Sequence, residues 1–216
     1  MTAKHTRVPA PSPRSGPASR ELHRPDWDEY FLLLAKLAAT RSTCLSRPTG
    51  AVIVRDRQVL ATGYNGSMPG VAHCSDDGRC FRRRMRVAED GKYDVCRAIH
   101  AEANAIAQAA RSGVAIAGAT VYTTLSPCFI CTKLMASARV VRVVFEHEYE
   151  SPDRERDEAW LEAIKEAGIE LVQLQLRPQT VARARQFVQA VTSVRCPLTV
   201  GGLPLGPAPS DPEEGS

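Results

Sequence analysis

Aromatic side chains make up only 6% of this 216-residue chain, and no apolar run approaches the roughly 18 residues that mark a membrane-spanning helix. The first shortage leaves little surface on which unpaired bases could stack, which counts against a reader of single-stranded nucleic acid. The second gives no sign of a helical membrane span. A secretory leader is equally lacking, because no charged segment at the N-terminus is followed by an apolar one and a cleavage site. The chain is therefore expected to work in the cytoplasm, where seven cysteines are better explained by metal binding than by disulfides. Neither sign of charge is in large excess. A formal net charge of +4 permits contact with anions such as nucleotides without demanding a nucleic-acid partner.

Periodic apolar positions are missing from residues 1–25, a Pro-, Ser- and Arg-rich stretch read as a disordered tail. Its arginines suit a transit peptide, but Pro9, Pro11, Pro13 and Pro17 would break the amphipathic helix that such a peptide needs. Residues 196–216 are Pro- and Gly-rich, end in an acidic group and are read as a second disordered tail, with Cys196 at its edge. Between them, residues 26–195 suit one domain.

Within that domain Asp26 is a candidate N-cap for a helix carrying Tyr30, Leu33, Leu34 and Leu37 on one face. Residues 50–54 and 59–64 read as strands of a hairpin turning at Asp56-Arg57, and Asn65-Gly66 predicts a sharp turn after it. Further on, residues 98–111 predict a helix, 121–124 a strand, 128–138 a helix, 140–145 a strand, 154–167 a helix, 169–174 a strand and 180–194 a helix. Strands alternating with helices after an opening hairpin predict a three-layer α/β/α fold around a mixed sheet of about five strands.

The chemistry is concentrated between residues 100 and 131. His100, Cys128 and Cys131 form a His-Cys-Cys set suited to zinc, three protein ligands leaving one position open. Cys128 and Cys131 are spaced to share one face at a helix start, where the dipole favours thiolates. Glu102, two residues beyond His100, cannot share its direction and remains as a proton carrier. A closed structural zinc would need a fourth ligand, and within this set only Glu102 could serve.

His100-Ala101-Glu102 followed by Pro127-Cys128-Phe129-Ile130-Cys131 is the H-x-E…P-C-x-x-C signature of zinc nucleobase deaminases. With Trp27-Asp28-Glu29-Tyr30, Arg41-Ser42-Thr43-Cys44, residues 50–54, Gly63-Tyr64-Asn65-Gly66 and residues 122–128, the chain resembles the cytidine/deoxycytidylate deaminase superfamily. It is most similar to the dCMP deaminase branch, which includes related late-competence proteins, over residues 27 to about 174. The resemblance implies zinc-dependent hydrolytic deamination of dCMP to dUMP and ammonia, supplying dUMP for thymidylate synthesis. Water would attack C4 of the cytosine, and Glu102 would move its proton to N3 and then to the leaving amino group. Backbone groups near Ala101 and Ser126 would hold the base, Asn65 the deoxyribose, and Tyr149 sits where the branch carries a substrate tyrosine.

The same resemblance implies a second, structural zinc at Cys44 and Cys74, completed by Cys80 and Cys96 with His73 in reserve. The alternative is that these are unliganded thiols serving as small apolar residues. It also implies a homo-oligomer, from dimer to hexamer, with dCTP and dTTP as allosteric effectors. The basic run Arg82-Arg83-Arg84-Met85-Arg86 is either a solvated surface or a contact for a nucleotide phosphate or an allosteric triphosphate. Arg111 is a candidate near phosphate or at a subunit contact, and His147 is expected to be exposed. Competing readings are a deaminase of another cytosine nucleotide or nucleoside, of a modified pyrimidine monophosphate or of nucleic acid, and a non-enzymatic zinc protein on the same fold.

Overall fold

The computed structural model describes residues 24–86, 96–149 and 154–190. The two predicted tails, apart from residues 24 and 25, lie outside the described residues, as does Cys196. The chain divides into two compact units, residues 1–176 and 177–216. The described part of the second is helix α6, Pro178–Ala190, where residues 180–194 were expected.

The first unit is a three-layer α/β/α fold. Its five-stranded sheet runs in the order β2 (Gln58–Tyr64), β1 (Gly50–Arg55), β5 (Thr120–Leu125), β6 (Arg142–His147), β7 (Glu170–Gln173). β1 is antiparallel to both β2 and β5, while β5, β6 and β7 are mutually parallel, so the sheet is mixed as predicted. β1 and β2 join through Asp56 and Arg57, both at positive φ, the conformation a tight two-residue hairpin requires.

Period-two alternation sends neighbouring side chains to opposite faces. Ile53, Val121 and Val143 point to one face and pack against Ala105 and Ala109 of helix α3 (Ala101–Arg111), Met135 of α4 (Phe129–Ser137) and Ile164 of α5 (Arg154–Glu166). Val52, Val54, Tyr122 and Val144 point to the other and meet Phe31, Leu32 and Ala35 of α1 (Trp27–Ala39).

Asp26 caps α1 in a reciprocal capping box with Glu29. The face that α1 buries differs from the expected one. Phe31, Leu32 and Ala35 are buried, whereas Tyr30 is 44% exposed and Leu37 62%. The cause is a close approach: a Cβ on Gly50 would lie 2.1 Å from the Ala35 carbonyl oxygen and 2.4 Å from the Ala39 nitrogen. The small side chains of α1, and not its largest apolar ones, decide which face can reach the sheet. The first turn of α1 is then pinned by Asp28. Its carboxylate accepts two hydrogen bonds from Arg142, at 2.9 and 2.8 Å, and one from the Tyr122 hydroxyl at 2.7 Å. The Arg142 guanidinium holds the Asp28 carboxyl below the usual range.

Two local expectations change. Asn65 and Gly66 do not adopt positive φ. The chain stays extended there and Gly66–Ser67 (β3) pairs with Ala98–Ile99 (β4), so positive φ falls later, at Gly70. Consequently α3 begins at Ala101, not at residue 98, and His100 becomes its N-cap. Residues 71–97 also contain a short helix, α2 (Phe81–Arg84).

α3 reaches β2 as closely as α1 reaches β1. A Cβ on Gly63 would lie 2.1 Å from the Ala101 carbonyl oxygen and 2.6 Å from the Ala105 nitrogen, both backbone atoms with no flexible end to move aside. Gly63→Val is expected to push the N-terminal turn of α3 off the sheet and to destabilise the protein by about 3 kcal/mol. Urea unfolding would measure this, and a midpoint equal to wild type would show that α3 can shift without cost.

Candidate metal centre and the cavity beside it

Two helix N-termini build the centre. His100 is the N-cap of α3 and Cys128 that of α4, its sulfur accepting from the Cys131 backbone N–H at 3.5 Å. The chain reaches Cys128 from the carboxyl end of β5 through Leu125-Ser126-Pro127, where ligand sites of open α/β sheets collect. The His100 Nδ1 lies 3.4 Å from the Cys128 sulfur and 3.5 Å from the Cys131 sulfur. A tetrahedral zinc, with bonds of about 2.3 Å to sulfur and about 2.0 Å to nitrogen, holds those atoms roughly 3.6 Å apart, so the donors fit the ion. Among the described residues, His100, Cys128 and Cys131 are the group of three ligands whose donor atoms all fall within 4.8 Å of one another.

The electrostatics follow from proximity and burial. The Cys131 thiol donates to the Cys128 sulfur, which with His100 brings Cys128 down to about 4 despite burial. Cys131 is pushed up in turn by that hydrogen bond and by burial. Its hydrogen bond with Cys128 also raises His100, outweighing burial. Glu102, 4% exposed, lies beside this group, and desolvation pushes its carboxyl up to about 7.

The centre opens into a cavity of about 320 Å³. His100, Ala101, Glu102, Ser126 and Cys128 line it, together with Asn65 and Tyr149, so the residues singled out for catalysis and substrate contact meet in one place. Cys44, Cys74, Cys80 and Cys96 line it as well. Cys74 is buried, the other three are half-buried, and desolvation raises the Cys96 thiol. Arg82 and Arg83 of the basic run also face the cavity, whereas Arg111 is exposed at the far end of α3, about 16 Å along the helix from His100. His147 is exposed as expected, with its Nε2 3.3 Å from the Glu146 carboxylate.

Asn65 is buried, and its side chain is a tertiary clamp. Its Oδ1 accepts from the Ser42 hydroxyl and, at 2.9 Å, from the Thr49 N–H. Its Nδ2 donates to the Arg47 carbonyl at 2.8 Å. One Nδ2 hydrogen remains for the cavity. Ser126 accepts from the Tyr149 N–H at 2.8 Å through its hydroxyl, and its own N–H donates to the His147 carbonyl at 2.7 Å. Sequence reasoning missed Arg47, which lines the cavity with its guanidinium 4.3 Å over the Tyr149 ring. No sequence signal marks it, because only folding of the 42–49 loop around Asn65 brings it there.

Residues 25–147 match the profile of the "Cytidine and deoxycytidylate deaminase zinc-binding region" family. The chain is 45% identical over 133 residues to the deoxycytidylate deaminase of Mycobacterium phage D29, covering 59% of this chain and 99% of that one. It is 36% identical over 183 residues to ComE operon protein 2 of Bacillus subtilis, covering 84% and 89%. Among solved structures, the dCMP deaminase of cyanophage S-TIM5 in complex with dCMP and dUMP superposes with a TM-score of 0.54 at 28% identity, over 70% of this chain and 99% of that one. A His-Cys-Cys centre spaced for zinc, a buried glutamate beside it and this extent of similarity place the chain in the cytidine and deoxycytidylate deaminase family.

Proposed function

We propose that this protein is a zinc-dependent dCMP deaminase, converting dCMP to dUMP and ammonia. The observation that carries the reading is Glu102, buried in the cavity wall beside a three-ligand centre that leaves room for a reacting water. The zinc held by His100, Cys128 and Cys131 supplies the acidity that makes water a nucleophile near neutral pH. Glu102 takes the proton of that water as its oxygen bonds to C4 of the cytosine. It passes that proton to N3, then carries the proton of the new C4 hydroxyl to the exocyclic amine, so that C4=O forms as the C4–N bond breaks and ammonia leaves. A carboxyl near 7 can both accept and donate at physiological pH.

The backbone orients the base. Ala101 is the first residue of α3, so its N–H has no acceptor within the helix and would serve the cytosine O2. The Ser126 N–H is taken by His147, which leaves its carbonyl to accept from the exocyclic amine. The remaining Asn65 hydrogen would reach the deoxyribose. Two features of the family are carried over with this reading. A second zinc at Cys44, Cys74, Cys80 and Cys96 rests on the resemblance and on their common place in the cavity wall, where their sulfurs do not gather as closely as the donors of the His100 set. A homo-oligomer is supported by Phe129, Ile130 and Leu134 of α4, which expose apolar side chains. Control by dCTP and dTTP rests on the resemblance alone.

Ammonia release from dCMP, deoxycytidine, CMP and a single-stranded oligonucleotide tests the reaction and its substrate together, with dCMP expected to be the best substrate. Glu102→Gln should keep its zinc and lose turnover by about a thousandfold, since an amide cannot carry the proton. Retained zinc with near-wild-type activity would remove Glu102 from this role. Metal analysis should give two zinc ions per chain, and a ratio of one would overturn the second site.

Zinc affinity should weaken as the pH is lowered. Binding requires a neutral imidazole and two thiolates, while in the metal-free centre Cys131 and His100 hold their protons more tightly than usual. Zinc must displace those protons, so competition with a chelator should favour the protein more at about pH 8 than at about pH 6.

A further inference from the structure

We propose that the ion pair of Lys36 and Glu146, on the face of the sheet away from the metal centre, positions Ser126 for its contact with the exocyclic amine, an inference that rests on the deamination reading. Among the described residues three glutamates are buried: Glu29, Glu102 and Glu146. Glu29 caps α1 and Glu102 serves the reaction, whereas Glu146, 5% exposed, has no part in either. Period-two alternation puts it on the same face of β6 as Val144, against α1, where an apolar side chain would extend the cluster of Phe31, Leu32 and Ala35. A carboxylate costs more to bury there, and replacing a buried ion pair by well-packed apolar side chains is commonly neutral or stabilising. A departure from core patterning that stability does not require points to function.

The pair anchors the carboxyl end of β6. Lys36, in the last turn of α1, donates to Glu146 Oε2, and His147 Nε2 lies 3.3 Å from the same oxygen. The Glu146 carbonyl accepts from the Gln175 side chain at 2.7 Å and the Gln173 side chain at 3.3 Å, and the Phe145 carbonyl accepts from the Leu174 N–H at 2.8 Å. Glu146 is thus held by its side chain from α1 and by its backbone from the end of β7. The residues that follow it grip Ser126. The His147 carbonyl accepts the Ser126 N–H at 2.7 Å, and the Ser126 hydroxyl accepts from the Tyr149 N–H at 2.8 Å. Ser126 lies between that grip and the ligand Cys128, two residues on, so the end of β6 sets its carbonyl relative to the metal centre. Releasing Glu146 would let that end shift, and a small displacement of the carbonyl that meets the amine is enough to slow a reaction that depends on alignment.

The test compares zinc-loaded wild type with the double variant Lys36→Met/Glu146→Leu, in which an apolar pair replaces the ionic one. Thermal stability should equal or exceed that of wild type, with zinc content unchanged. Turnover of dCMP should nonetheless fall about tenfold in kcat, and kcat/KM for deoxycytidine by a similar factor, because the disturbance lies at the base. Inhibition by the corresponding pyrimidin-2-one deoxyribonucleotide, which carries hydrogen in place of the amine, should stay within about twofold, since it offers the Ser126 carbonyl nothing to accept. Lys36→Arg, which keeps a cation against Glu146, should retain near-wild-type kcat. Wild-type turnover in the double variant, a loss that comes with lost zinc, or equal losses in dCMP turnover and in binding of the analogue would overturn the assignment.

Amide hydrogen exchange provides a readout apart from turnover. The Ser126 and Tyr149 N–H groups should exchange about tenfold faster in the double variant while the ladder between β5 and β6 keeps its protection, and unchanged exchange at both overturns the proposal. Where the double variant does not fold, Glu146→Gln, which keeps the shape and loses the charge, carries both measurements with the same expected directions. Faster exchange at Ser126 in a protein whose wild type releases no ammonia from dCMP would count against the deamination reading and leave the anchor standing.

Discussion

Helix α3 carries both His100 and Glu102, and it can lie against β2 only because Gly63 presents no side chain to the Ala101 carbonyl and the Ala105 nitrogen. That approach sets the height of the N-terminus of α3 above the sheet, and so the position of an imidazole and a carboxylate together. The other half of the centre arrives from β5, whose carboxyl end delivers Cys128 as the N-cap of α4. Two helix N-termini then converge on one point. Their partial positive charges favour the negative charge that the thiols and the reaction need, without a cation that would compete with the metal. α1 repeats the device on the opposite face of the sheet, through Gly50 against Ala35 and Ala39.

Burial does the rest at Glu102. A carboxylate in water titrates near 4 and would be a poor proton donor at neutral pH. Buried in the first turn of α3, Glu102 is raised toward neutrality, where one group can serve in both directions. The charge that burial penalises lies within reach of His100, which opposes the shift. The value therefore reflects desolvation moderated by a neighbour, and it would change if α3 moved.

The centre was legible in the sequence because its residues come in pairs fixed by helical geometry. His100 and Glu102, or Cys128 and Cys131, have relations that local structure alone determines. The strands β1, β2, β5, β6 and β7 and the mixed character of their sheet were legible from β-branched runs and an opening hairpin, whereas their order in the sheet was not. What could not be read were features decided by contacts distant in the chain. The apolar stretch Phe31 to Leu34 offers more than one stripe, and the choice is made by Ala35 and Ala39 against Gly50. Asn65-Gly66 has the composition of a turn, yet the Asn65 amide is spent on Ser42, Thr49 and Arg47, residues 16 to 23 positions earlier. Pairing of Ala98–Ile99 with Gly66–Ser67 likewise shortens a helix that propensity would have begun earlier.

This division separates chemistry from recognition in the same cavity. The metal ligands and Glu102 hang on elements whose positions the sheet dictates, so a change in substrate need not disturb them. In the proposed reaction, recognition would fall to the 42–49 loop, to α2 and to the segment after β6, which reach the cavity through side-chain hydrogen bonds and one arginine–tyrosine stack. Such contacts can be exchanged singly, each at a modest cost in stability, while the sheet is unaltered. Asn65 is where the two halves join. Three of its four hydrogen-bonding positions are used to fold the 42–49 loop, so removing its amide would perturb Arg47 and, in the proposed reaction, the sugar contact at once. Its importance to binding cannot then be equated with the single bond it would offer a ligand. Most of its effect would pass through the loop that it holds.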